Sequence, residues 1–199
     1  MLDSPIVIRA DDPRRLELDQ SGWWVMHRSW GAELDGWAID QLRLRSMVEE
    51  LPADLTIREL EAEDAGAACV LDAATLRDYP GGPATRHEPL TTESARVDSA
   101  TRRAFGVFSA DRLLIATTYI DVDPQTETAE TDFTVVHPHR RGQGLGRAVK
   151  ALSVLTLLKD GVTRFRSGGS SENTAMLALN RSLGYVVDEE WLTLAPPGR

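Results

Sequence analysis

The chain has 199 residues, 42% hydrophobic and 27% charged, and its 22 Lys and Arg face 31 Asp and Glu for a formal net charge of −9. That is room for one ordinary domain with a sizeable core, which excludes a disordered tail. No apolar run approaches the roughly 20 residues of a bilayer-spanning helix, and an acidic chain disfavours general nucleic-acid affinity, so neither membrane nor nucleic acid is expected as a partner.

The first residues, MLDSPIVIRADDPRR, lack the basic, apolar, small-residue order of a secretory signal. A single cysteine, Cys69, allows no intrachain disulfide. A cytoplasmic location is the expectation from both. Trp23, Trp24, Trp30 and Trp37 put four of the five tryptophans before a composition shift near Leu51 to Asp54. That shift divides an N-terminal extension, residues 1–52, from a domain of residues 53–199. The extension would shield a sheet edge, wall a pocket or form a homodimer contact, and the sequence leaves these open.

In the domain, Leu55 to Leu60 reads as a strand. A helix follows with apolar residues at Ala67, Val70, Leu71 and Ala74, stopped by Pro80 and Gly81. PGGPATRHEPL is a loop, and TTESARVDSATRRA begins like a helix capped by Thr91 or Thr92. AFGVFSA and RLLIATTYIDV form a hairpin about Ala110 and Asp111, and TAETDFTVV follows the turn at Asp123 and Pro124. Short connections make all three antiparallel neighbours. From Gly144 the period turns helical, with Leu145, Val149, Leu152 and Leu155 on one face until Gly161. VTRFRS, a strand after a helix, should lie parallel to TAETDFTVV. Ser170 or Ser171 would cap a second helix carrying Met176, Leu179 and Leu183, closed by Gly184. YVVDEEWLTL is the last strand, and PPGR a tail. GWWVMHRSW at Gly22 to Trp30 echoes GYVVDEEW at Gly184 to Trp191; chance and a remnant of a second copy of the domain both remain open.

The segment VVHPHRRGQGLGRAVK joins a strand to a helix through Gly142, Gly144 and Gly146. Glycines let the backbone approach a ligand closely, and the following helix offers unpaired N–H groups at the positive end of its dipole, a cradle for phosphate. Arg147 stands where a dinucleotide fingerprint needs its third glycine, and Gly146 precedes Arg147 and Ala148 where a Walker A loop needs Lys and Ser or Thr. From Phe133 to Lys159 there is no acidic residue, and Arg140, Arg141, Arg147, Lys150 and Lys159 give the window +5. The rest of the chain therefore carries −14, five more negative than the whole.

These residues resemble the GNAT superfamily of N-acetyltransferases. Its acetyl-CoA signature, Gln/Arg-x-x-Gly-x-Gly/Ala, is matched by Arg141, Gly144 and Gly146, preceded by Val136, His137 and Pro138. ENTAMLALNRSLGY is similar to the family's asparagine-led helix ending in Leu-Gly-aromatic. The resemblance runs from about Leu55 to Leu194. It implies an α/β (α+β) fold with a mixed, mostly antiparallel twisted sheet flanked by helices, and acetyl-CoA as cosubstrate with no metal. It also implies that Thr134, Val135 and Val136 bind the acyl and pantetheine arm. Arg141, Gly142, Gln143, Gly144, Leu145, Gly146 and Arg147 would surround the pyrophosphate, and Asn173 would contact CoA. Many members have a tyrosine seven residues after that asparagine as the acid for the thiolate. Here the position is Asn180, which positions CoA at most, leaving water or Tyr185 as the acid.

Acetyl transfer needs a polarised thioester carbonyl, a neutral amine close by, and a route for its proton. The resemblance makes the Val136 N–H the oxyanion contact. Alternation along TAETDFTVV places Glu130, Asp132, Thr134 and Val136 on one face, and Glu130 falls where some members, including histone-type enzymes, place a general base; Asp132 is second. No nucleophile beside a base is evident for a covalent route. His137 and His139 fall short of a metal set and read as loop histidines. Cys69 reads as buried and inert. Arg140 and Lys150 read as phosphate contacts or solvated cations. Asp78, Tyr79, His87 and Glu88 lie in the loop that in this family often borders the acceptor. The expected function is transfer of acetyl from acetyl-CoA to a primary amine of a small cationic molecule within a ternary complex. A catalytically weak acyl-CoA-binding or sensing module is the rival.

Overall fold

The computed structural model describes residues 4–80 and 82–197. Gly81, expected to help stop the first helix of the domain, lies outside them, as do the last two residues of the tail. The elements in chain order are β1 (Ile6–Arg9), α1 (Arg15–Gln20), β2 (Trp24–Asp35), α2 (Gln41–Glu49), β3 (Thr56–Glu59), α3 (Ala65–Thr75), β4 (Arg102–Phe108), β5 (Leu114–Asp123), β6 (Thr128–Val136), α4 (Leu145–Lys159), β7 (Arg164–Ser170), α5 (Thr174–Leu183) and β8 (Val186–Ala195). Eight strands form one sheet in the order β1-β8-β2-β7-β6-β5-β4-β3. Every pairing is antiparallel except β6 with β7, the consequence of the helical crossover through α4. No helix among the described residues is long and apolar enough to cross a membrane.

The small and apolar stripe of α4, Leu145, Ala148, Val149, Ala151, Val154 and Leu157, packs on one face of the sheet with Leu44 and Met47 of α2. The other face is covered by α3, where Ala68 and Leu71 meet Tyr119, Phe133 and Val135. The buried face of α3 is thus Ala68, Leu71, Asp72 and Thr75, one residue round from the expected Ala67, Val70 and Ala74; Val70 is exposed. The expected helix after Thr91 is a run of turns. Thr91 and Ser94 bond each other's backbone and hydroxyls, and Asp98 accepts the N–H groups of Ala100 and Thr101, drawing the chain out of a helix and into β4. The cap of α5 is Asn173, whose Oδ1 accepts the Met176 N–H at 3.1 Å; Ser170, an expected cap, ends β7 instead.

The composition shift near residue 52 marks no break in the sheet. β2 lies between β7 and β8 and pairs with both, and α2 packs on α4. Residues 4–52 are therefore woven into the fold rather than extending from it. A twelve-residue strand with a buried Trp30–Leu34 stretch finds both neighbours only in the sheet interior.

The internal echo has a geometric counterpart. Gly22 and Gly184 both take positive φ after a helix, at 82° and 102°, and lead into β2 and β8. β2 has one extra residue, Met26, and β8 has one, Asp188, each at a bulge in their shared ladder. Setting Gly22 on Gly184 sets Met26 on Asp188, so a local two-fold relates β1-α1-β2 to β7-α5-β8. In that correspondence Trp30 matches Leu192. The two tryptophans that suggested the echo are one place out of step.

If residues 1–52 are part of one cooperative unit, Leu34→Ala, at a side chain 2% exposed, costs about 2–5 kcal/mol. It should do so by shifting a single denaturant transition with unchanged steepness; a second transition would show that the segment folds apart.

Candidate active site

β6 and β7 are paired only over Thr128–Glu130 with Arg164–Arg166, and then separate. The positions that would pair next are Thr131 and Ser167. Instead of ladder bonds, the Lys150 ammonium, reaching up from α4, donates to Thr131 Oγ1 at 3.0 Å and Ser167 Oγ at 3.1 Å. Lys150, expected among the solvated or phosphate-binding cations, is fully buried, with the Tyr185 ring 5.2 Å away. Desolvation lowers its pKa to about 7. Tyr185 is a core residue.

The same parting leaves one edge of β6 open. The bond from His137 N to Ile115 O, 2.8 Å, sets the phase of the antiparallel ladder with β5. Val135 and Phe133 therefore bond across to β5, while the backbone groups of Thr134 and Val136 point to the side that β7 has left. The Val136 carbonyl there accepts Arg141 Nε at 3.2 Å. The Val136 N–H, the expected oxyanion donor, is on this open edge.

Below that edge a cleft of about 650 Å³ is lined by Thr134, Val135, Val136, Arg140, Arg141, Gly142, Gly144, Leu145, Gly146, Arg147 and Asn173, with Asp78, Tyr79 and Met176. Gly144 caps α4 at φ 78°, left-handed, with no side-chain cap. The first intrahelical bond to it comes from Ala148 N, so the amides of Leu145, Gly146 and Arg147 precede the ladder and are available to an anion. Arg141 Nη2 meets Asp78 Oδ2 at 2.6 Å and Arg147 Nη2 meets Glu50 Oε2 at 3.0 Å. Arg147 Nε is buried without a partner among the described residues. Open amides plus an unspent guanidinium donor fit a pyrophosphate. Two residues expected in this cradle do not line it: Gln143 is exposed, and Asn180 is turned into the core, its Nδ2 donating to Met176 O at 3.2 Å.

A second cleft, of about 670 Å³, opens on the α3 side between the parted strands. Its lining includes Trp30, Arg86, His87, Arg102, Glu130, Thr131, Asp132, Ser167 and Glu189. The two clefts share Tyr79, Pro80, Thr134, Asn173 and Met176. The expected alternation along β6 fails here. Asp132 is skipped in the ladder, where Tyr119 pairs with Phe133 and Ile120 with Thr131. Ala129 and Val136, an odd number of residues apart, consequently pack in the same cluster, while Phe133 and Val135 pack in the other. Glu130 is thus on the α3 face, opposite to Val136 rather than beside it. Asp132 is held by Arg102 Nη2 at 2.7 Å, a guanidinium that also binds Asp121. Glu130 is exposed on the cleft wall.

Asp72 went unremarked in the sequence, one acid among many on a helix. Its side chain is 2% exposed; Oδ1 meets His87 Nε2 at 2.7 Å and Oδ2 accepts the Leu90 N–H at 2.8 Å. The His87 ring stacks on Tyr79 at 4.1 Å and abuts Phe133 at 4.6 Å. Burial, with Asp72 and Asp132 near, pushes the Tyr79 phenol far above its ordinary pKa. His137 and His139 lie 5.6 Å apart, and no three metal-ligating side chains converge among the described residues. Cys69 is partly exposed, and burial raises its thiol.

No protein-family model matches the sequence, and no curated protein does. Solved structures match in fold. The chain is similar to a tandem GNAT protein from the clavulanic acid biosynthesis pathway, at 18% identity and a TM-score of 0.68 over 96% of this chain and 62% of that one. It is similar to a GCN5-related N-acetyltransferase-like protein from Streptococcus suis, at 14% identity and 0.65 over 96% and 70%. It is also similar to the ribosomal-protein-S18-alanine N-acetyltransferase of Escherichia coli, at 21% identity and 0.55 over 73% and 95%. The chain thus spans only about three-fifths of the tandem protein's length. What these likenesses establish is the fold, that of the GCN5-related N-acetyltransferases.

Lys150 makes a stability prediction. Its folded pKa, about 7, lies below the ordinary 10.5, so between these values the unfolded chain binds more protons and stability rises with pH. Below about pH 7 the ammonium must stay charged in the core, and the penalty is complete. Replacing Lys150 with Met should flatten the rise between pH 7 and 10 in denaturant titrations; an unchanged slope would show that Lys150 does not cause it.

Proposed function

We propose that this chain, built on the fold of the GCN5-related N-acetyltransferases, transfers the acetyl group of acetyl-CoA to a primary amine of a small cationic molecule. The reading rests on one observation above all: two clefts of different chemistry meet where β6 and β7 part. One offers open amides and arginines suited to a pyrophosphate; the other sets Glu88, Asp132 and Glu189 against Arg86, Arg102 and Arg166 and leaves Glu130 and the aromatic rings to a cation. A thioester lying along the open edge of β6 would bring its carbonyl to the Val136 N–H, whose donation stabilises the oxyanion. The acceptor enters from the other side of Thr134 and Asn173, and both substrates are present together, so the acetyl group passes directly.

Within this reading, the open backbone groups of Thr134 and Val136 hold the acyl and pantetheine arm, while Val135, expected beside them, bonds to β5 and only lines the cleft. Arg141, Gly142, Gly144, Leu145, Gly146 and Arg147 hold the pyrophosphate, and Asn173 lies at the junction. Asp132 is neutralised by Arg102, which suits it to shaping the wall. The exposed Glu130 carboxylate attracts the ammonium of the acceptor. The field of a chain of net charge −9 favours a cation as well, by raising its local concentration.

Free-thiol release from acetyl-CoA with a panel of small primary amines tests the activity. Release above hydrolysis is expected; tight CoA binding with none would favour an acyl-CoA-sensing module. Gly144→Val, which forces a β-branched residue into the left-handed region, should weaken CoA binding about tenfold or more by calorimetry. Glu130→Gln should raise KM for cationic amines several-fold and change kcat less; an unchanged KM would remove Glu130 from acceptor binding.

A further inference from the structure

Proton transfer is the step that the residues discussed so far leave without an owner. Asn180 is buried away from both clefts, Tyr185 is in the core, Asp132 is tied to Arg102, and Glu130 is an exposed carboxylate that no side chain among the described residues holds in place. The acceptor cleft does hold a group built for the task. His87 lines it, and the ring is fixed on three sides: by Asp72 through Nε2, by the stacked Tyr79 and by Phe133. Asp72 is itself fixed by the Leu90 N–H. A buried carboxylate that accepts from Nε2–H sets the tautomer, leaving the lone pair on Nδ1. Tyr79, on which His87 stacks, lines both clefts, which sets the imidazole beside a residue of their junction.

We propose, on the acetyl-transfer reading above, that His87, held by Asp72, is the general base that takes the amine's surplus proton and returns it to the departing sulfur. The neutral amine nitrogen attacks the thioester carbonyl carbon. As the C–N bond forms, the C–S bond breaks and the electron pair leaves with sulfur as a thiolate. The extra proton on nitrogen passes to His87 Nδ1, and from the imidazolium to the thiolate, giving amide and free thiol. Asp72 is a positioning residue that stabilises the imidazolium between the two transfers. One group that shuttles the proton accounts for a site with no tyrosine at position 180. The other charged groups of this cleft are already engaged or face solvent: Arg102 with Asp121 and Asp132, Arg86 with Glu88, Arg166 with Glu33, Asp188 and Glu189.

The test uses the full chain, acetyl-CoA and the amine panel, with thiol release as readout. His87→Ala should lower kcat by about 10²–10⁴-fold, leave CoA affinity within twofold, and recover activity when imidazole is added. His87→Gln, which can still bond Asp72, guards against loss of fold and should be equally slow with an unchanged melting temperature. Long-range ¹H–¹⁵N spectra of the resting protein should place the neutral proton of His87 on Nε2, and Asp72→Asn should remove that preference. Activity that survives His87→Ala, a deficit that imidazole does not rescue, or a proton on Nδ1 in the wild type would each overturn the assignment alone. Absence of thiol release by the wild type with every amine would overturn the acetyltransferase reading and this one with it.

Discussion

A parallel pair of strands that stops pairing after three positions is the constraint on which the rest of this molecule turns. Ladder hydrogen bonds that are not made leave a gap between the strands and backbone groups without ladder partners, and the structure treats the gap and the groups differently. At the apex, the Lys150 ammonium bonds the two hydroxyls that face each other across the gap. Burying that group costs free energy, which its lowered pKa of about 7 registers. The cost is borne at one point, and the strands beyond it stand apart without collapsing together. Further along, the exposed backbone of Thr134 and Val136 is left to a ligand and to Arg141.

The same economy governs charge. The arginines of the glycine loop are not idle cations awaiting phosphate; Arg141 is closed on Asp78 and Arg147 on Glu50. Both pairs are substantially exposed, and exposed ion pairs contribute about 0–1 kcal/mol. On the proposed function, an incoming pyrophosphate, which accepts several charge-assisted bonds at once, would displace them at small cost. Asp78 follows α3 and Glu50 ends α2, so Arg141 and Arg147 are paired by acids from opposite sides of the sheet. One of these comes from the first 52 residues.

Local chemistry was legible in the sequence and register was not. Gly142, Gly144 and Arg141 announce the cradle because glycine conformation and charge act within a few residues of themselves. The antiparallel neighbours β4, β5 and β6 and the parallel β6–β7 pair follow from connection lengths, whereas the place of β2 between β7 and β8 does not. The face of Glu130 could not be read, because one skipped residue at Asp132 reverses the alternation, and a bulge is set by the neighbouring strand. Asp72 and His87 meet across a turn-rich loop with no periodicity to bring them together on paper. Lys150 looked like one more solvent-facing cation, since nothing in its neighbours says that two strands part above it.

The local two-fold relating β1-α1-β2 to β7-α5-β8 shows where the asymmetry needed for a site enters. Both units present a strand, a helix, a left-handed glycine and a bulged strand, and β2 and β8 pair at the centre about Ser29 and Trp191. Their helices differ: α5 has ten residues and a side-chain cap from Asn173, whereas α1 has six and none. Asn173 lines both clefts. The outer strands differ more. β1 is the edge of the sheet, while β7, its counterpart, has β6 beside it. The twofold core is thus a rigid platform that holds β7 from one side along its full length, through seven paired positions with β2. β6 holds it from the other side over only three. When a strand is anchored so unequally, the parting falls on the weakly held side, and that is where the two clefts meet.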